Sequence, residues 1–311
     1  MITIAFFGDN KIYTTNKMGL WGYIAIFVLL CAILLYAVLT DVAFFGKWTT
    51  KPSTYRYLPT EQEIPKIVYQ TWHTHDLPPK MKETNEIFKN ANPEFKYHLF
   101  DDHECREFIR THCDQSVLNA FDKLKPGAFK ADLWRYCILY VNGGVYLDIK
   151  YEQVNHEKMK PVKLIDIIEN KTDYPIPMVV ETSPLYVYTG FLATPPKNPL
   201  YAKCIERIVE NVRNQHYGAS PMAPTGPELF GSLISDLDKS RAVLFYYDDY
   251  FLKEGEEKMR AKYRKRGFIK DLRTEKNILC HYLDYRIEQR QYSKTEYWMN
   301  SWSNRDIYSD S

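Results

Sequence analysis

The sequence is short of several features that would settle a function class early. It has no C-x-x-C pair. Of its 6 cysteines, Cys31 lies in a long apolar run, which leaves Cys105, Cys113, Cys137, Cys204 and Cys280, an odd set that cannot pair completely within one chain. This usage argues against a zinc ribbon or a dithiol redox site, and it does not demand a disulfide framework. An excess of charge is missing too: 41 basic against 39 acidic side chains leave +2, so composition points to no nucleic acid as a partner. Neither an internal repeat nor a low-complexity tract interrupts the 311 residues, which removes repeat arrays from consideration.

What is present reads as globular: 45% hydrophobic and 26% charged residues, a balance that can bury a sizeable core. Aromatics are plentiful, with 25 Tyr, 16 Phe and 6 Trp. They fill cores, and they also suit stacking on sugars and bases.

From Met18 to Thr40 no residue is charged and most are aliphatic or aromatic. At about 1.5 Å per residue this run spans the roughly 30 Å hydrocarbon core of a bilayer. No A-x-A cleavage pattern follows Leu39, so a retained anchor is expected rather than a signal peptide. Lys11 and Lys17 precede the run and Asp41 follows it. The expected organisation is therefore a cytosolic tail at 1–17, a transmembrane signal-anchor at 18–40, a polar stem at 41–63 and a lumenal domain at 64–311, as in a single-pass type II membrane protein. The sequon Asn170-Lys171-Thr172 would be usable only in that orientation.

Within the domain the patterns alternate. "PKIVYQTW" and "FKYHLFDD" predict strands, and "PKMKETNEIFKNA" between them predicts a helix ended by Asn92-Pro93. Asp101 and Asp102 are placed to cap the helix "DDHECREFIRTHC". A helix over "GAFKADLWRYCILYVNGG" runs by a glycine stop into "VYLDIKYE", read as a strand. "PMVVET" and "YVYTGFLATP" read as strands, "PLYAKCIERIVENVRNQ" and "GPELFGSLISDLD" as helices. The fold class expected is α/β, a mixed sheet flanked by helices with its site at strand ends. The charged stretch 251–276 reads as a solvated surface helix or hairpin, with a basic patch on anionic lipid as the sharper alternative.

Two short segments carry the chemistry. Helical spacing puts Asp132 and Arg135 on one face amid Leu133, Trp134, Tyr136 and Ile138, and charges in such apolar company need a partner or a ligand. Strand alternation would put Asp148, Lys150 and Glu152 on one face. Asp148 looks like half of a metal clamp whose second position holds Lys150. That lysine is either a counter-charge to a bound diphosphate or a partner for Asp148 or Glu152. As a charge at a site rim, Asp148 is expected to contribute little to stability.

"IPKIVYQTW", "FKADLWRYCILYVNGGVYLDIK", "TGPELF" and "NSW" together resemble the sugar-binding, DXD-type glycosyltransferases that include yeast Golgi initiating mannosyltransferases and inositol phosphorylceramide mannosyltransferases. The resemblance implies a GT-A, Rossmann-like fold, a GDP- or UDP-hexose donor, transfer with retention, Golgi or other endomembrane residence, and a lipid or glycan acceptor. It implies Mn²⁺ or Mg²⁺, here partly replaced by Lys150. It places Trp72 on the donor base, Asp132 and Arg135 on the donor sugar and diphosphate, and Asp148 on the cation or sugar hydroxyls. His281 would be a further metal ligand, Ser301 and Trp302 would close over the diphosphate, and Thr225-Gly226-Pro227 would form an acceptor-side loop or simply a turn into the next helix. Mannose is the expected hexose. Galactosyl, glucosyl or N-acetylglucosaminyl transfer to protein-linked glycan, and a sugar-nucleotide-binding subunit without catalysis, are the alternatives.

Overall fold

The structure is a computed structural model that describes residues 5–8, 11–14, 63–154, 163–168, 178–180, 186–234, 243–250, 266–271, 276–293 and 297–309. The expected span 18–40, nearly all of the stem, the sequon and residues 251–265 of the basic stretch lie outside them. Among the described residues no helix is long and apolar enough to cross a membrane. Contacts divide the chain into Met1–Thr54 and Tyr55–Ser311. In the first unit, β1 (Ala5–Gly8) and β2 (Lys11–Thr14) pair as an antiparallel hairpin within the expected tail.

The second unit opens with β3 (Ile67–Thr71), α1 (Pro79–Ala91), β4 (Lys96–Phe100), α2 (Asp102–His112), α3 (Gln115–Lys123) and α4 (Gly127–Asn142). It continues with β5 (Gly144–Leu147), β6 (Tyr151–Gln153), α5 (Leu164–Ile168), β7 (Met178–Val180), β8 (Phe191–Thr194), α6 (Pro199–Arg213) and α7 (Pro227–Ser232). β9 (Val243–Tyr250), β10 (Arg266–Asp271), β11 (Lys276–His281), α8 (Tyr285–Tyr292) and α9 (Trp298–Ser303) complete it.

Two sheets result. The first has the order β4-β3-β5-β8, with β3 parallel to both β4 and β5, and β8 antiparallel at the edge. The second runs β6-β11-β10-β9-β7 and is antiparallel except for β7 beside β9. This is the mixed α/β architecture that the alternating patterns predict. One expectation is corrected: "VYLDIKYE" is not a single strand. β5 ends at Leu147, and Asp148-Ile149-Lys150 forms a turn that carries the chain from one sheet to the other, so strand alternation is not what sets Asp148 beside Lys150.

Local sequence explains the ends of the elements nearest that turn. Gly143 stops α4 at φ 65°, and a Cβ there would lie 2.6 Å from the Pro196 nitrogen, so only glycine fits. Asp101 caps α2 by accepting from the Glu104 N–H at 2.8 Å, while Glu104 accepts from the Asp101 N–H at 3.0 Å. α1 begins with Pro78-Pro79 and has no cap of its own; Glu288 of α8 reaches over and takes the N–H groups of Lys80 at 2.8 Å and Met81 at 2.9 Å. The phenol of Tyr282 donates to the same carboxylate at 2.8 Å. α8 is thereby fixed against α1.

The main core packs α4 against α2, α3, α6 and α7, with Leu133, Trp134, Tyr136, Ile138 and Leu139 fully enclosed. A second core gathers residues of both sheets with Phe88 of α1 and Leu164, Ile167 and Ile168 of α5. A third, small cluster gathers Met81, Ile149, Tyr282 and Tyr285 with Trp72, Leu77 and Leu99 beside them.

Removing the shared cap tests how α8 is held. Glu288→Ala leaves two helix N–H groups and a buried phenol without their acceptor, which is expected to cost about 2–4 kcal/mol. Denaturant unfolding measures it, and a loss under about 0.5 kcal/mol would show that water replaces the carboxylate.

Candidate functional site

Four charged side chains alternate along one row, Asp132 and Arg135 buried and Asp148 and Lys150 partly so. Asp132 and Arg135 of α4 meet at 3.2 Å, Arg135 approaches Asp148 at 3.8 Å, and Lys150 closes on the other oxygen of Asp148 at 2.7 Å. Every member has further support. Thr225 donates to Asp132 Oδ2 at 2.7 Å, and Arg135 Nη1 donates to the Thr189 carbonyl at 2.8 Å and hydroxyl at 3.1 Å. The Arg135 guanidinium lies over the Tyr146 ring, 4.3 Å from its centroid, and the Tyr146 hydroxyl donates to Asp148 Oδ1 at 2.8 Å. Asp148 also fixes its backbone, its N–H bonding to the Gly190 carbonyl at 2.8 Å.

Gly190 makes that approach possible. A Cβ there would stand 2.6 Å from Asp148 Oδ2 and 2.4 Å from the Tyr188 hydroxyl, so any larger residue must displace the carboxylate. Lys150 is enclosed by aromatic rings, its Nζ 5.7 Å from the centroid of Tyr151, 5.5 Å from Tyr188 and 5.8 Å from Tyr285. The side chains of Arg135 and Lys150 are 8% and 13% exposed, whereas Asp148 is 21% exposed. Asp148 is thus the most exposed member of the row.

Burial and neighbouring charge act in opposition on these groups. Burial raises the Asp132 carboxyl, and Arg135 and Thr225 only partly counter it, so its pKa stays above the ordinary value. For Asp148 burial also pushes upward, but the charges of Lys150 and Arg135 and the bonds from Lys150 and Tyr146 outweigh it, and the pKa is lowered. Burial, assisted by the nearby Arg286, lowers Lys150 more than Asp148 raises it. Burial also drives the Tyr146 phenol far up, which keeps it a donor to Asp148.

Trp72 follows β3 directly and packs on the small cluster around Ile149 and Tyr285, next to the Asp148-Lys150 turn. Its indole N–H is buried without an acceptor, a polar group turned to the interior with nothing to bond. The structure therefore brings together Trp72, Asp132, Arg135, Asp148 and Lys150. The loop Thr225-Gly226-Pro227 joins them through Thr225, and the helix that follows starts at Pro227.

Ser301 and Trp302 are placed by other contacts. They lie on α9, which leans on α4 where Trp298 meets Phe129, and the Trp302 indole donates to the Tyr217 carbonyl at 2.7 Å. His281 ends β11 opposite Tyr151, with its ring 5.1 Å from Tyr151 and 5.8 Å from Tyr285. Its Nδ1 accepts the Gly267 N–H at 3.3 Å. Sequence reasoning missed Tyr146, Tyr188, Thr189, Gly190, Tyr285 and Arg286. Tyr146 alone carried a signal, being two residues before Asp148.

A divalent cation does not fit at Asp148 as the residues stand. One of its oxygens is taken by Tyr146 and the other by an ammonium, and the other carboxylate of the row, Asp132, is held by Arg135 and Thr225. Among the described residues the group of three side chains close enough to share an ion is His75, Asp101 and Glu104, which is the α2 capping box with a histidine added.

Residues 78–163 match the family described as "Glycosyltransferase sugar-binding region containing DXD motif". That segment contains Asp132, Arg135, Asp148 and Lys150. Among curated proteins the chain is 31% identical over 183 residues to mannosyl phosphorylinositol ceramide synthase SUR1 of Saccharomyces cerevisiae, covering 57% of this chain and 43% of that protein. It is 30% identical over 176 residues to inositol phosphoceramide mannosyltransferase 3 of Schizosaccharomyces pombe, covering 55% and 44%. An initiation-specific alpha-1,6-mannosyltransferase of the same yeast is 24% identical over 203 residues, covering 59% and 51%. The chain thus spans about half the length of the relatives it matches, and its resemblance to these mannosyltransferases, expected from the motifs, is found. Among solved structures the PaToxG glycosyltransferase overlaps 56% of this chain and 70% of its own at 16% identity with a TM-score of 0.40, too loose an overlap to define a fold.

The geometry revises the expectation that Asp148 matters little to stability. Asp148→Ala leaves Arg135 and Lys150 facing each other without their shared anion, at an expected cost of about 2–4 kcal/mol. The double variant Asp148→Asn with Lys150→Met, which removes both charges, is expected to recover most of it. Because the folded pKa of Asp148 lies below the unfolded value, its stabilisation is present above about pH 4 and is lost as the pH falls through the lower folded value. Equal stability of Asp148→Ala and the wild type across that range would contradict the account.

Proposed function

We propose that this chain is a glycosyltransferase of GT-A type that moves a hexose, mannose, from a nucleoside diphosphate sugar to a lipid acceptor of the inositol phosphorylceramide class. The observation that carries this reading is the row Asp132-Arg135-Asp148-Lys150, which lies within the segment that matches the sugar-binding region. Mannose and the lipid acceptor are supported by the relatives whose names specify them.

The row can do what such a reaction needs. The bond between the anomeric carbon and a phosphate oxygen breaks, its electron pair stays with the departing diphosphate, and the acceptor hydroxyl oxygen bonds the anomeric carbon while its proton passes to the departing oxygen. Negative charge grows on the leaving group, and fixed cations in a water-poor site stabilise it more than water would. Arg135 offers a planar fork of donors held by Thr189 and Tyr146. Asp132, held by Arg135 and Thr225, and Asp148 present carboxylate oxygens suited to sugar hydroxyls. Trp72 supplies an apolar face and a vacant N–H for the nucleoside.

We also read the apolar run 18–40 as a membrane anchor that keeps the domain beside its lipid acceptor in the lumen of the Golgi or another endomembrane. A galactosyl, glucosyl or N-acetylglucosaminyl donor would use the same charges, since contacts to the sugar set that choice.

Thermal unfolding in the presence of GDP- and UDP-sugars, followed by transfer assays with inositol phosphorylceramide, tests the reading. The expected result is stabilisation by GDP-mannose of at least about 2 kcal/mol at a concentration some 100-fold above its Kd, with mannosylated lipid as product. Binding without turnover of any donor would overturn it in favour of a sugar-nucleotide-binding subunit.

A further inference from the structure

We propose that Lys150 is the built-in cation of the donor site: its ammonium, rather than a divalent metal ion, meets the donor diphosphate, and this frees Asp148 to hydrogen-bond the sugar. The inference rests on the donor-site reading above and adds to it how the site is charged.

Four observations carry it. Lys150 occupies the position two residues after Asp148 where a D-x-D segment has its second carboxylate, in the turn between β5 and β6. Its Nζ is 2.7 Å from Asp148 Oδ2, while Tyr146 holds Oδ1 at 2.8 Å, so both oxygens that would bind a cation are engaged. The ammonium is seated among the rings of Tyr151, Tyr188 and Tyr285, at 5.7, 5.5 and 5.8 Å, which favour a cation and present no carboxylate to a metal. Tyr285 is itself anchored, because Glu288 of the same helix binds the N-terminus of α1.

The charge balance points the same way. Two carboxylates and two cations make the row neutral and Arg286 lies near Lys150, so a dication entering beside Lys150 and Arg135 would add positive charge to a site that has no carboxylate to spare. A diphosphate does the reverse, bringing negative charge to two cations whose counter-charges in the row are carboxylates. Lys150 then exchanges Asp148 for a phosphate oxygen while it stays within the tyrosine rings. This is an ammonium in the role that a bound Mg²⁺ or Mn²⁺ plays at diphosphate leaving groups, charge neutralisation without a metal ligand set.

The test is calorimetric binding of GDP and UDP to the full chain in EDTA and in Mn²⁺, with manganese binding followed in parallel by electron paramagnetic resonance. The wild type is expected to bind one of the nucleotides with the same affinity, within about twofold, in both conditions, and to take up no manganese of its own. Lys150→Met is expected to weaken binding about 10- to 100-fold, as loss of a charge-assisted contact does, with no rescue by Mn²⁺. Lys150→Asp restores the carboxylate pair and is expected to bind one manganese ion and to need it for nucleotide binding. Wild-type binding that requires Mn²⁺, with one ion bound per chain, would overturn the role of Lys150 and leave the donor-site reading standing. No nucleotide binding by the wild type under either condition would overturn both. The wild-type comparison needs no variant, so it decides the question even if a substitution impairs folding.

Discussion

The contact between Asp148 and Lys150 inside an alternating row of charges is the constraint on which the rest of the site depends. An ion pair out of water is tolerated only when each charge has a counter-charge and its remaining donors or acceptors are met. Here the condition is fulfilled from five directions: α4 brings Asp132 and Arg135, β5 brings Tyr146, the loop before β8 brings Thr189 and Gly190, Thr225 comes from the turn before α7, and α8 brings Tyr285. Because Asp148 sits where the chain leaves one sheet for the other, satisfying its charge also sets how β5 and β6 are joined.

A good share of this was legible in the sequence, for physical reasons that can be named. α4 reads clearly because an apolar helix with two charged residues three apart has a buried face, and because Gly143 stops it. The capping role of Asp101 was legible from position alone. Asp148 as a strand residue was not correctly legible: "VYLDIKYE" alternates well enough to pass for one strand, and nothing local marks that its two halves pair with different sheets. Thr189 and Gly190 were invisible because their importance lies in reaching across to Arg135 and Asp148, a contact that no periodicity encodes. Ser301 and Trp302 were assigned from resemblance, and α9, which carries them, packs on α4 and Tyr217.

The resemblance and the geometry together give a sharper picture than either alone. Residues 78–163 are similar to a sugar-binding region of DXD type. In this chain the segment reads Asp148-Ile149-Lys150, with Ile149 turned into the small cluster beside Trp72 and the two charged ends paired with each other. A carboxylate pair would repel and invite a cation between its members; a carboxylate and an ammonium attract and close the gap. The same turn can thus present a charge to a diphosphate with a different source for that charge.

A crystal structure of the chain with a nucleoside diphosphate sugar, grown in chelator, tests the central claim most directly. The account predicts phosphate oxygens within hydrogen-bond distance of Lys150 Nζ and Arg135, with Asp148 turned to sugar hydroxyls. A diphosphate bound away from Lys150, or seen only when a divalent ion bridges it to Asp148, would contradict it.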